Sequence, residues 1–201
     1  LQSIYRVSAS VAGLAVTPSP VMWLIMSFFV CYLIKKYAPK RITIPIVTLM
    51  GLSYIPLIFI TKNVSIIIFY IIAGITGAGL GIVITMNTLL SQRVVPEDSV
   101  GVASSMLTLG RTLGQTLMTG IFGLIFNLSI NNSVHISNSI SFEQINNFIS
   151  STNHAYLGNK MDTVMSTIVL KGMHSVFEVV LIIFIIILVI NILDKNNEVI
   201  K

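Results

Sequence analysis

One arginine stands where chemistry is expensive. Arg111 lies inside GRTLGQTLMTG, within an apolar run from Val100 to Phe126 that is long enough to cross a bilayer. Pro96, Glu97 and Asp98 read as a helix start, since proline suits the first turn and acidic groups suit the positive end of the helix dipole. Arg111 is then about 21 Å along the axis. A guanidinium at that depth costs at least about 2.5–3.5 kcal/mol on insertion scales, so it must face protein or water instead of lipid. At 100° per residue, Ser104, Thr108, Arg111, Thr112, Gln115 and Thr119 share an arc of about 100°. The chemistry available there is hydrogen bonding and charge recognition. No nucleophile, base and orienting group occur together at a sensible depth, so no catalytic residue is assigned and an enzyme is not expected. No Cys/His cluster has metal-ligand spacing, and the single cysteine, Cys31, can form no intrachain disulfide.

The elements that position these residues follow from composition. Of 201 residues, 54% are hydrophobic and 9% charged, and the mean hydropathy is +0.91. Soluble domains carry about 25% charged residues, so the solvent here is the lipid bilayer and the fold class is an all-α membrane protein. Five segments are long enough to span it, at about 10–34, 42–60, 66–90, 100–126 and 175–193. The net charge of +5 is carried by groups that mark cytoplasmic loops, not a nucleic-acid surface. Lys35, Lys36, Lys40 and Arg41 form the tightest basic cluster, which places the loop between the first two spans, and the C-terminus, in the cytoplasm.

Three spans carry a small or polar stripe. In the third, Gly74, Gly77, Gly81, Thr85 and Thr88 share one arc and predict a close-packing seam. Asn87 points elsewhere, either toward the cavity of Arg111 or onto a neighbouring backbone. In the fourth, Gly110 and Gly114 have GxxxG spacing on a face apart from the polar stripe and predict a second close approach. In the first, Pro18 and Pro20 interrupt the helix. Trp23 beyond them is either a core or lipid-facing aromatic, or a wall against which a flat or cationic solute stacks. The second and fifth spans are almost uniformly apolar.

Residues 127–172 are rich in Asn and Ser and are expected to form an extracellular loop. Within them Phe142, Ile145, Phe148 and Ile149 recur at helical spacing behind a Ser141/Gln144 capping pair, which predicts a short amphipathic helix on the outer rim. His135 and His154 read as solvated residues, and Glu178 as a hydrated carboxylate near the start of the last span.

Several stretches, in order, resemble the C-terminal half of major facilitator superfamily transporters, most closely the fourteen-span drug:proton antiporter group. They are LQSIYRVSASVAGLAVTP and VVPEDSVGVASSMLTLGRTLGQTLMTG. CYLIKKYAPKR departs from that family's Gly-x-x-x-Asp-Arg-x-Gly-x-Arg loop, with Cys31, Lys35 and Ala38 at the first glycine, the aspartate and the second glycine; Thr108 stands where an asparagine is frequent. The resemblance implies a major-facilitator-like helical bundle, incomplete here, whose missing N-terminal half supplies the remaining spans and most acidic groups. It implies proton-coupled export of small amphipathic or cationic compounds by alternating access, with Trp23, Asn87, Thr108, Arg111 and Gln115 lining the path. No bound cofactor is expected, only a proton gradient. The expected partners are the bilayer of the cell membrane, the missing half and a small-molecule substrate. The absence of an initiating Met agrees with a fragment, and also with the second reading, a truncated, non-transporting membrane subunit that docks on another protein through its glycine seams.

Overall fold

A computed structural model describes residues 2–5, 7–61, 64–137, 140–150 and 159–194. Every described regular element is helical: α1 (Gln2–Tyr5), α2 (Ala9–Leu14), α3 (Pro18–Lys36), α4 (Pro39–Ile58), α5 (Ile66–Arg93), α6 (Val100–Ser137), α7 (Phe142–Ser150) and α8 (Asn159–Leu193), with a 3-10 turn at Glu97–Ser99 before α6. Five stretches are long and apolar enough to cross a membrane: Ala9–Lys36, Pro39–Ile58, Ile66–Arg93, Glu97–Val134 and Met161–Leu193. This is the all-α multi-pass bundle that composition requires.

The break between α2 and α3 follows from two missing donors. Pro18 and Pro20 have no N–H to give to Leu14 and Val16. Those carbonyls instead accept from Thr17 and Ser19, each at 3.1 Å, in three-residue turns. The helix stops at Leu14 and restarts with proline in its first turn.

The best-packed pair is α3 with α5. They run parallel, with Ser19 opposite Gly77, Trp23 opposite Gly81 and Ser27 opposite Thr85, one turn apart on both helices. A Cβ on Gly77 would collide with the Ser19 backbone, and one on Gly81 would lie 2.6 Å from the Trp23 carbonyl oxygen. Gly74 is less tight, with Met22 and Pro18 at 3.9 Å. Two hydroxyls close the seam: Thr85 donates to Ser27 Oγ at 3.1 Å, and Ser27 donates to the Trp23 carbonyl at 2.8 Å.

The apolar α4 and α8 pair antiparallel. A Cβ on Gly51 would lie 3.5 Å from Phe184 Cβ, and Tyr54 packs its ring on Phe184 with centroids 5.5 Å apart. At one end His174 bonds the Ile60 carbonyl at 3.0 Å. At the other, Lys40 Nζ donates to the carbonyls of Ile192 and Asp194, where a cation also opposes the negative end of the α8 dipole. Lys35 and Lys36 end α3 beside it, and Arg93 ends α5 at the same side of the bundle. Lys36 lies over the Tyr37 ring at 5.5 Å.

Much of what is described within residues 127–172 is helical. α6 continues to Ser137 and α8 begins at Asn159. With 38 residues, α6 is about 57 Å long, nearly twice the ~30 Å of hydrocarbon it must cross. The far ends of α6 and α8 therefore form a helical hairpin beyond the apolar slab. Polar residues there mark the exit from lipid, not the end of the helix. Ser133 satisfies its hydroxyl on the Ser129 carbonyl, and Ile130, Met165, Ile168 and Val169 supply an apolar seam.

The short amphipathic helix is present as α7. Gln144 Oε1 accepts from the Ser141 N–H at 2.9 Å, and Ser141 Oγ accepts from the Glu143 N–H at 3.3 Å, so the capping pair works in both directions. Ile145 and Phe148 are buried against the α6/α8 seam. α7 is a plug on that hairpin, not an element lying free on a rim. His154 lies outside the described residues, as does the side chain of His135. Glu178 is exposed one turn beyond His174, with many apolar residues of α8 still to follow.

Candidate functional site

The residues singled out for their chemistry fall on two different surfaces. Trp23 belongs to the α3/α5 seam. Its carbonyl accepts from Ser27 and faces Gly81, so its backbone is fixed by packing, while its ring is partly exposed. Asn87 is exposed on α5, off the seam, and no side-chain hydrogen bond among the described residues joins it to α6.

Thr108, Arg111 and Gln115 lie on the middle of α6, where every residue from Thr108 to Ile121 is exposed. The reason is that α6 is held only toward its ends. Near its start, Gln92 of α5 donates to Ser104 Oγ at 3.0 Å. Toward its far end, Ser129 and Ser175 exchange a hydrogen bond of 3.1 Å, and Phe126 packs against Gly172. Between these two attachments, residues 108–121 stay exposed.

The polar stripe is therefore open along the central turns. Its threonines do not compete for a partner. Thr112 donates to the Thr108 carbonyl at 3.0 Å, Thr116 to Thr112 at 2.9 Å and Thr119 to Gln115 at 2.8 Å. Each hydroxyl spends its one proton on its own helix and presents only an acceptor outward. Arg111, Gln115 and the Thr108 hydroxyl are left as the donors of the stripe, and none of the three side chains has a hydrogen bond or ion pair among the described residues. The opposite face of the same turns carries Leu109, Leu113 and Leu117, 57%, 54% and 65% exposed. A helix with lipid on the leucine side would turn Arg111 and Gln115 toward the space in front of the bundle.

Gly110 and Gly114 differ from the α5 glycines. No atom of the described residues would lie within 4 Å of a Cβ on either, so the close approach expected there has no partner inside this chain. Gly77 and Gly81 do meet a partner, α3. The basic residues Lys35, Lys36, Lys40 and Arg41 gather at one end, and Lys40 is the one committed to a structural bond.

Sequence reasoning missed Ser27, the hinge pin of the α3/α5 hydrogen-bond chain, and Gln92, which attaches α6 to α5. Ser27 was detectable, because it extends the Ser19, Trp23 row by one more turn. Nothing in the spacing of Gln92 distinguishes it from a solvated residue at a helix end. Among the described residues no group of three or more His, Cys, Asp or Glu could hold a metal ion.

Residues 1–133, which contain α1 to α5 and most of α6, match the family model of the Major Facilitator Superfamily. No curated protein and no solved structure matches the chain.

Proposed function

Because the chain belongs to the Major Facilitator Superfamily and is thus a membrane transporter of that type, we propose that it forms the C-terminal half of a proton-coupled exporter of small amphipathic or cationic compounds. The observation that carries this reading is the open polar stripe of α6. Arg111 and Gln115 are presented at mid-helix, away from the bundle, on a helix whose opposite face suits lipid.

In this reading a second half stands opposite the stripe and encloses it with Trp23 and Asn87 in a shared aqueous path. Rocking of the two halves then exposes the path alternately to either side of the cell membrane. The rigid α3/α5 seam favours movement of those two helices as one body. The basic end, with Lys35, Lys36, Lys40, Arg41 and Arg93, faces the cytoplasm by the positive-inside rule, and the C-terminus with it. Arg111 finds its counter-charge in the opposite half or in the substrate, since an isolated guanidinium within the membrane is costly.

Dye efflux from energised vesicles carrying the complete transporter tests the assignment. Arg111→Ala and Gln115→Ala are expected to lower efflux and shift its dependence on the proton gradient. Efflux unchanged in rate and proton dependence would remove both residues from the path.

A further inference from the structure

Apart from the α6 stripe, the bundle carries a groove of about 220 Å³ between α4 and α8. Val47, Gly51 and Ile55 of α4 and Leu181, Phe184 and Leu188 of α8 line it. Glycine at position 51 leaves one place along it without a side chain. The one hydroxyl in the lining, that of Thr48, is spent on the Ile44 carbonyl at 2.8 Å, so the groove has only apolar contacts to give. Leu52 and Ile185 stand at its edge, 56% and 62% exposed, and the groove is open to whatever surrounds the bundle.

A cation stands in register with it. At 100° per residue, Arg41, Pro45, Thr48, Leu52 and Ile55 share an arc of about 80° on α4. Arg41 is exposed, and its side chain has no hydrogen bond or ion pair among the described residues. Lys40 beside it ties α4 to the carbonyls that end α8, and the N-terminus of α4 adds the positive end of its dipole. Asp194 brings one carboxylate to this end, against Lys40, Arg41 and, from the end of α3, Lys35 and Lys36. Ile55 is about 21 Å along the axis from Arg41. One leaflet with its headgroups is about 20–22 Å deep. The stripe therefore runs from headgroup level to the middle of the bilayer.

We infer that this side of the α4/α8 pair holds one anionic phospholipid of the leaflet at the basic end of the bundle. Its phosphate pairs with the Arg41 guanidinium, which suits that group's oxygens in a two-bond fork. One acyl chain lies in the groove along Gly51 and Phe184. A free anion uses the charge but not the groove. A zwitterionic lipid uses the groove, but its cation meets Lys40 and Lys36 as like charges. Only a lipid of net negative charge uses both. This site stands independently of the export reading, since it requires no more than a bundle seated in a bilayer.

The test places the purified protein in phosphatidylcholine nanodiscs with a trace of phosphatidylglycerol that bears a diazirine on one acyl chain. Labelling is expected to concentrate on peptides containing Val47–Ile55 and Leu181–Leu188. Unlabelled phosphatidylglycerol should compete, whereas added phosphatidylcholine and glycerol phosphate, the headgroup without its chains, should not. Arg41→Gln is expected to weaken labelling of these peptides about fivefold, the worth of one cation beside an anionic lipid surface. Arg41→Lys should retain most of it, and Arg93→Gln, which removes one positive charge from α5 at the same end, should leave it unchanged. Labelling spread evenly over the exposed faces of α3 and α6, equal competition by phosphatidylcholine, or equal effects of Arg41→Gln and Arg93→Gln would each overturn the proposal. So would a groove that takes no label in the complete transporter, the result expected if another protein segment covers it.

Discussion

Substituting alanine for Gly77 adds one carbon, and the structure says where it must go. The new Cβ would lie 2.5 Å from the Ser19 Cα and 2.6 Å from its carbonyl carbon, with the carbonyl oxygen closer still. These are backbone atoms, so no side chain can swing aside. Ordinary contact begins near 3.4 Å, which requires α3 and α5 to separate by at least about 1 Å to clear the carbons and more to clear the oxygen. A gap of that size forfeits a quarter to a half of each dispersion contact along the seam. It also stretches the Thr85 to Ser27 to Trp23 hydrogen-bond chain, now 3.1 and 2.8 Å. Overpacking of this kind costs about 1–3 kcal/mol, against about 1 kcal/mol gained from replacing glycine within a helix. We expect a net loss of about 2 kcal/mol, because the obstruction is backbone. The chain has one tryptophan, Trp23, and it sits in this seam. Thermal unfolding followed by its emission therefore reads the seam directly. Gly114→Ala, with nothing within 4 Å, is the control and should be neutral or slightly stabilising. Equal melting temperatures for Gly77→Ala and Gly114→Ala would refute the seam.

Other perturbations read other parts of the fold. Lys40→Met removes the bonds to Ile192 and Asp194 and should cost about 0.5–1 kcal/mol, seen as faster amide exchange in the last turn of α8. Phe148→Ala empties a site that is 1% exposed and should weaken the docking of α7 by about 3 kcal/mol, so that limited proteolysis cuts near α7 sooner. Tyr5 donates to the Thr61 carbonyl at 2.8 Å, and burial pushes its phenol above the ordinary value of 10.0. Because the folded form favours the neutral phenol, the anchor of α1 is intact below pH 10 and is lost as pH rises through the higher folded value. Tyr5→Phe should abolish that alkaline step in a pH titration of stability.

The spacing of Gly74, Gly77 and Gly81 pointed to a close-packing face on the third span but named no partner; in the structure α3 lies against Gly77 and Gly81. The same spacing at Gly110 and Gly114 named a capacity to pack but not a partner, and within this chain none approaches. Pattern reports what a face can do; contact depends on what stands opposite. The polar stretch after Phe126 misled for a different reason. Asn and Ser mark departure from hydrocarbon, yet a helix continues wherever its apolar period does, and Ile130, Met165, Ile168 and Val169 sustain it. The proline break was legible, but its consequence was not. That the Ser19 N–H would turn back to the Val16 carbonyl was not encoded by the position of the prolines alone.

The central claim is that the α6 stripe faces water in a transporter. Its most direct test is thiol labelling by a membrane-impermeant reagent, in a background with Cys31→Ser, of single substitutions around α6. Thr108→Cys, Arg111→Cys and Gln115→Cys should label readily and be protected by a transported dye, whereas Leu109→Cys, Leu113→Cys and Leu117→Cys should not label. Uniform labelling around the helix, or none on the stripe, would contradict it.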